Sequence, residues 1–476
     1  MSSPTPTTAD VAGACTLSPS IEKKAVAYGD AHTVLSMISL TAPAALGVQR
    51  PPIDLIPCVD RSGSMCGRKM ALMKHTLKML IARAGLNAAD RLGIVSFDNH
   101  VKEELPLVSM DSQGRAKADA VVDALEVGGT TNLSGGLLKS IDMLSSADAA
   151  AGRTRCVLLF TDGIANEGVR DTPTLVSAVQ GATGSTAMTL FTFGFGDDHA
   201  EDMLRSIAEP SSGLYYFISS VEAIPTAFAD CLGGIMSVVA QNASLTLEAA
   251  AGHEISKVLG GYTVKKSEGT KTTIELGDLY AEDEKDLLFE LRLPALGEAK
   301  QQSGVVVHAK LRYFSVGSKK MEEVSTQVLV SRPSTTPSDQ SVNIKLDEQR
   351  NRMRAAEAME EAARLADGGD LEAGRALLQS TRSMMSESLS AATPLSRTLA
   401  RECDLLSHNY ADMPSYRSLG RKQSAMSAHS HKLQRSTHTS EDVYRGGSVS
   451  KVSMKSSWGL PESSKAIKKQ PSNHHS

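Results

Sequence analysis

A chain of 476 residues is too long for one hydrophobic core and calls for two to four domains. Its hydrophobic fraction of 41% is that of a globular protein, and its formal net charge of −4 is unevenly spread: from Ala411 onward 11 Lys or Arg face 4 Asp or Glu, which leaves the preceding body at −11. That argues against nucleic acid as a partner of the body, and no run is apolar for long enough to span a bilayer.

Residues 1–18 are rich in Ser, Thr, Pro and Ala and are expected to be disordered. They offer neither a basic n-region nor an apolar h-region, so no secretory signal is expected. Within an N-terminal β segment, 19–50, two strands are expected at 22–28 and 33–40, around the turn signal Gly29-Asp30. Six cysteines (Cys15, Cys58, Cys66, Cys156, Cys231 and Cys403) are scattered without a disulfide framework, which predicts buried free thiols and a cytoplasmic protein.

Across 51–240 strand and helix patterns alternate. An apolar run at 54–59 is followed by Met70, Met73, Leu77, Leu80 and Ala84 at helical spacing. Further strands are expected at 90–97, 155–161, 188–195 and 214–218, with helices at 116–125, 134–144, 201–208 and 221–239. Such alternation gives a doubly wound, mostly parallel sheet, whose ligands lie at the strand C-termini where the strand order reverses.

From 241 to 332 the period changes to two: Ala243, Leu245, Leu247; Val307, Ala309, Leu311, Tyr313; Val324, Thr326, Val328, Val330. This is an antiparallel β domain. The N-terminal strands are expected to join it as one sandwich, leaving the α/β domain inserted in sequence. A Ser/Thr/Pro linker (333–342) precedes a helical hairpin (343–410), whose first stripe is Met353, Ala356, Met359, Ala363 and Ala366. Gly368-Gly369 stops that helix and Asp370 caps the next, with the face Leu371, Gly374, Leu378, Thr381 and Met385, and a third helix at 395–406 follows Pro394. Residues 411–476, basic and rich in Ser, His and Lys, are expected to be a disordered tail in which Ser424 and Ser436 follow basic residues as many kinases prefer. The closing His474-His475 pair is too short to argue a metal site.

The chemistry lies in three short stretches. Asp60-Arg61-Ser62-Gly63-Ser64 puts a carboxylate and two hydroxyls on one turn after the first α/β strand; Thr130-Thr131-Asn132 adds a loop hydroxyl; Thr161-Asp162-Gly163 ends another strand in a carboxylate. Oxygen donors of this kind suit a hard cation such as Mg²⁺, which keeps several waters and near-octahedral geometry.

These stretches, in this order, resemble the metal-ion-dependent adhesion site of the von Willebrand factor A domain. The resemblance implies Ser62, Ser64 and Thr131 as ligands, Asp60 and Asp162 as carboxylates acting directly or through water, Mg²⁺ or Mn²⁺ as the ion, and an acidic residue of a protein partner completing the shell. Thr131 is preferred to Thr130 because the family sets Asn directly after the ligand. The order of β flank, α/β domain, second β segment and helical hairpin is similar to plant ubiquitin ligases that join a RING finger to such a domain. This sequence has no Cys-x-x-Cys pairs or Cys/His zinc spacing, so ligase activity is not carried over.

No enzyme is expected. Ser62 and Ser64 have carboxylates rather than a His at a suggestive spacing, Gly128-Gly129-Thr130-Thr131 lacks the Lys of a phosphate loop, and His100 and His199 are expected to be solvated loop residues. The expected function is a metal-dependent protein-binding module. The alternatives are a substrate-recruiting component of a ubiquitin-ligase complex and an internal scaffold with an empty site.

Overall fold

The structure, a computed structural model, describes residues 13–435 apart from 46–49, 84, 148–151, 185, 197–198, 219–223, 267–269, 339 and 342. The expected disorder of 1–12 and of 436–476, with Ser436 and His474-His475, therefore lies outside the described residues. Strand β1 runs Thr16–Ile21 and pairs antiparallel with β2, His32–Thr41. This corrects the expected strand at 22–28 and the disorder expected at 16–18. Glu22 N still donates to Leu35 O, but from there the backbone bonds elsewhere: Val26 N donates to Ser331 O and Tyr28 N to Pro333 O, so the segment leaves β2 for residues 331–333. Pro19 is tolerated because β1 is an edge strand.

The α/β domain contains β3 (Ile53–Asp60), α1 (Arg68–Arg83), β4 (Arg91–Phe97), β5 (Val101–Ser109), α2 (Ser112–Ala124), α3 (Leu133–Ser145), β6 (Thr154–Thr161), α4 (Thr172–Thr183), β7 (Thr189–Phe195), α5 (Glu201–Ala208), β8 (Tyr215–Ile218) and α6 (Ile224–Ile235). Its sheet has the order β5-β4-β3-β6-β7-β8, parallel except for β5. Strand β3 is buried at every position because helices cover both faces. Leu55 and Val59 meet Met73 and Leu77 of α1 on one face, while Ile56 and Cys58 meet Leu137 and Ile141 of α3 on the other. The antiparallel β5 escaped the sequence reading: it carries Lys102, Glu103, Glu104 and Pro106, as an edge strand does, and lacks the continuous apolar run of its neighbours. Helix α6 stops at Ile235 and not at 239, since Val238 already begins the next strand.

At the base of β3 the buried Asp54 receives Arg91 Nε at 2.8 Å and Arg153 Nε at 2.9 Å, which tie three strands' starts together. Burial works against that carboxylate, and the two guanidinium groups more than offset it, holding it below its ordinary range.

The remaining strands, β9 (Val238–Ala249), β10 (Glu254–Val258), β11 (Thr263–Lys266), β12 (Lys271–Tyr280), β13 (Glu284–Leu293), β14 (Lys300–Ser315) and β15 (Lys320–Arg332), form a sandwich with β1 and β2. Its sheets have the orders β1-β2-β13-β10 and β11-β12-β9-β14-β15. Ile38, Leu40, Leu287 and Phe289 of the first sheet share a core with Leu245, Leu247, Ala309 and Leu311 of the second. Because β2 precedes the α/β domain and its partner β13 follows it, that domain is an insertion in the sandwich.

Helices α7 (Ile344–Asp367), α8 (Leu371–Ser386) and α9 (Pro394–Asn409) pack around Ala356, Met359, Leu378, Met385 and Leu399. Asp370 Oδ1 accepts from Ala373 N at 2.9 Å and caps α8. The linker is held down in part, since Gln340 accepts from Ala25 N at 3.0 Å.

The described part of the expected tail is not disordered. A one-turn helix α10 (Met413–Ser415), a π-helical turn Tyr416–Gly420 and α11 (Arg421–Lys432) lie between the hairpin, the α/β domain and the sandwich. Ser424 is buried against Tyr410 Oη at 3.0 Å, which removes it from reach of a kinase. His429 Nε2 lies 3.0 Å from Gly213 O, His431 Nε2 lies 2.6 Å from Glu402 Oε2, and Gln434 bonds both the N–H and the C=O of Asp286. A polar segment is buried here because most of its polar groups find hydrogen-bond partners, the Nδ1 atoms of His429 and His431 being exceptions.

Candidate metal centre

The sheet order reverses between β3 and β6, and both strands deliver carboxylates there: Asp60 is the last residue of β3 and Asp162 follows the last residue of β6. Beyond Asp60 the chain turns sharply through Gly63–Met65, a 3₁₀ turn pinned by the fully buried Met65. Ser62 N donates to Asp60 Oδ1 at 2.8 Å, and Ser62 Oγ lies 3.1 Å from Ser64 Oγ. Ser64 Oγ in turn donates to Asp162 Oδ1 at 2.7 Å. Thr131 enters from the loop before α3, and a Cβ built on Gly163 would stand 3.6 Å from both its Oγ1 and Ser64 Oγ. The glycine therefore leaves open the space toward which the two hydroxyls converge.

All five expected residues are thus brought together. Thr131 is buried and Thr130 is exposed, so only the former belongs to the cluster. Asn132 has another task, accepting from Gly135 N at 3.0 Å as the N-cap of α3. Asp60, Ser62 and Asp162 are buried while Ser64 is exposed, which gives the cluster one open side.

Two carboxylates buried side by side want a cation. Burial pushes the Asp60 carboxyl up to about 6; the charge of Asp162 adds to the push, and hydrogen bonds from Ser62 and Thr161 oppose it. Asp162 is met by the ammonium of Lys69, from the first turn of α1. Among the described residues no three His, Cys, Asp or Glu side chains form a metal-binding group. The donor set here is three hydroxyls and two carboxylates, all oxygen, which suits Mg²⁺ or Mn²⁺ and not zinc.

Sequence reading missed the supports of this cluster. Asn166 accepts from Thr131 N through Oδ1 at 2.7 Å and donates its own N–H to Thr131 O at 3.2 Å, clamping the threonine from the loop after β6. Thr161 Oγ1 donates to Asp60 Oδ2 at 2.6 Å. Arg61 pairs with Asp98 at 2.8 Å and accepts through its carbonyl from Gly128 N at 2.8 Å, which joins the serine turn to the threonine loop. Only the position of Asn166 four residues past Asp162 was visible in the sequence, and nothing there marked its target.

Two expectations are corrected. His199 is not solvated: its ring is buried 2.6 Å from Tyr215 Oη, in a gap that Gly194 leaves in β7, where a Cβ would collide with the imidazole. Burial, and to a lesser degree Lys422, lowers it to about 4, so it is neutral at physiological pH. His100 is exposed as expected. Cys66 is exposed beside the serine turn, whereas the other five cysteines are buried.

The family model of the von Willebrand factor type A domain matches residues 54–230. In sequence the chain is similar to the E3 ubiquitin-protein ligase WAV3 of Arabidopsis thaliana, 30% identical over 350 residues that make up 71% of this chain and 43% of that protein. It is also similar to the E3 ubiquitin-protein ligase WAVH1 of the same plant, 26% identical over 375 residues, 76% of this chain and 50% of that protein. The chain spans about half the length of these curated relatives. In fold it resembles a von Willebrand factor type A structure from Catenulispora acidiphila, with a TM-score of 0.70 over 89% of this chain and 98% of that one at 18% identity. Motifs, switch-point geometry, family model and fold agree that residues 54–230 are a von Willebrand factor type A domain, carried between the strands of a β-sandwich.

Proposed function

We propose that this chain is a cytosolic binding protein and not an enzyme, in which Ser62, Ser64 and Thr131, with Asp60 and Asp162, hold Mg²⁺ or Mn²⁺ for capture of an acidic residue on a protein partner. The observation that carries this reading is the convergence of all five residues at the point where the sheet order reverses. Three neutral hydroxyl ligands leave a bound divalent ion electrophilic, so it can take a partner's carboxylate as a further ligand. A binding role is also supported by the surroundings of the serines, which face carboxylates and an ammonium, while the His199 ring is buried with Nε2 on Tyr215 Oη.

A pull-down of partners with Mg²⁺ and with chelator tests the reading. Partners that leave on chelation support it, and an unchanged set would sink it. A second reading, a substrate-recruiting component of a ubiquitin-ligase complex, is favoured by the similarity to proteins named as such ligases. It expects a RING-bearing protein among the captured partners and no ubiquitin discharge by the purified chain alone.

Asn166 supplies a separate check. Asn166→Ala frees Thr131 without touching the ion, and loss of such a supporting contact is expected to weaken Mn²⁺ binding roughly tenfold. The melting temperature in chelator should change little. Unaltered Mn²⁺ affinity would remove Thr131 from the ligand set.

A further inference from the structure

We propose that Lys69 is a built-in competitor for the divalent ion: its ammonium occupies the charge position beside Asp162 in the ion-free protein and is displaced when the ion binds. This rests on the metal-binding reading above and adds the residue that sets the affinity of the site.

The placement of Lys69 opposes its local preference. It is the second residue of α1, a helix with Arg68-Lys69 and no acidic residue in its first turn. Cations are disfavoured at a helix N-terminus, where the backbone dipole is positive. A partner outside the helix must hold this side chain there, and Asp162 is that partner. Departures of this kind from local rules mark functional positions.

The pairing also accounts for the charges of the cluster. Asp162 is fully buried and divides its oxygens between Ser64 Oγ, at 2.7 Å, and the Lys69 ammonium. The guanidinium of the neighbouring Arg61 is committed to Asp98 and brings no charge to the two carboxylates. Two carboxylates and one ammonium leave a single unbalanced negative charge, whereas two carboxylates and a divalent ion balance. With the ion present Lys69 becomes a surplus cation. Its side chain is 34% exposed and its ammonium lies near Gly196 in the loop after β7, so it has a route into water. Lysine suits this exchange, being a compact and strongly hydrated charge on a flexible stem.

The test compares wild type with Lys69→Met, which keeps the apolar stem and removes the charge, and with Lys69→Arg, which keeps the charge. Mn²⁺ binding is followed by the electron paramagnetic resonance of the free ion, and melting is recorded in chelator. Lys69→Met is expected to bind Mn²⁺ roughly tenfold more tightly, a difference of about 1.4 kcal/mol. In chelator the same variant should melt below wild type, because Asp162 has lost its counter-charge. A lysine that served only as a helix-surface residue would not give these opposite shifts. Lys69→Arg should stay close to wild type in both measurements. If Lys69→Met folds poorly, Lys69→Gln provides the same comparison. Equal or weaker Mn²⁺ binding by the neutral variant, with wild type binding normally, overturns the competitor and leaves the metal site standing. Absence of Mn²⁺ binding in wild type and neutral variant alike overturns both.

Discussion

Replacing Asp60 by Asn is expected to raise the stability of the protein in chelator and to abolish the further rise on adding Mn²⁺. The Asp60 carboxyl stands at about 6 in the fold against an ordinary value of 3.8, mainly because it is buried and secondarily because Asp162 is near. A carboxyl raised by that amount makes its ionised form unfavourable in the fold by about 3 kcal/mol. Asn removes the charge but turns an NH₂ toward Ser62 N or Thr161 Oγ1, both of which donate to Asp60, so the gain should be only about 1–2 kcal/mol.

The sign with pH follows from the direction of the shift. Between about pH 4 and pH 6 the folded protein keeps a proton on Asp60 that the unfolded chain has released, so the contribution of this group to stability falls as pH rises through that window. The gap between wild type and Asp60→Asn, measured in chelator, should therefore be small at pH 4.5 and complete near pH 7. Ion binding needs the carboxylate, so the stabilisation by Mn²⁺ in wild type should grow over the same range. With ion at ten times Kd that stabilisation is about 1.4 kcal/mol. Thermal melts across this pH series decide the matter: a pH-independent gap, or a Mn²⁺ response surviving in Asp60→Asn, removes Asp60 from the site.

The second large effect is expected from cutting the chain after Tyr410. The segment 411–435 buries Tyr416, Met426 and Leu433, and three such side chains contribute about 5 kcal/mol or more in gross burial, partly offset by the chain entropy regained on their release. Its loss also strips buried groups of their partners. Lys285 Nζ donates to Leu433 O at 3.1 Å, and Asp286 exchanges two hydrogen bonds with Gln434. Arg421 joins the segment to Glu201 and Asp202 of α5 and to Asp367 of α7, so one side chain ties the α/β domain to the hairpin. The truncated protein is expected to melt at least about 10 °C lower and in more than one calorimetric transition, as the three units lose their common contact. Gln434→Ala, which takes the partner from both the backbone N–H and C=O of Asp286, should lower the melting temperature by a smaller step in the same direction. A truncated chain that melts in one transition at the wild-type temperature would show that the segment holds nothing together.

The two expectations differ in how much of their basis could be read without coordinates. Asp60, Ser62, Ser64, Thr131 and Asp162 were all identifiable in the sequence: the two aspartates and two serines close or follow strands with clear apolar runs, while Thr131, in a loop between two helices, and the roles of all five came from the resemblance of the three stretches to a known metal site. Segment 411–435 was not identifiable, because Lys422, Ser424, His429, His431 and Gln434 are buried residues with the composition of a solvated tail.

Hydrophobic periodicity determined most strands and helices of the α/β domain, strands β9, β14 and β15 of the sandwich, helices α7 to α9, the change of period at the start of the sandwich, the stop at Gly368-Gly369 and the carboxylates at the strand ends. These are local properties, set by which face of each helix or strand must leave water. Tertiary structure alone decided the rest: the crossing path of 22–28, the edge strand β5, the burial of His199 beneath Gly194, the clamp of Asn166 on Thr131, the pairing of Lys69 with Asp162 and the docking of α11. In each of these a polar group or a backbone amide is satisfied by a partner distant in sequence or in another loop. A hydrogen bond or ion pair leaves no periodic signature, so its partner is fixed only when the packing of apolar faces has brought the two segments together.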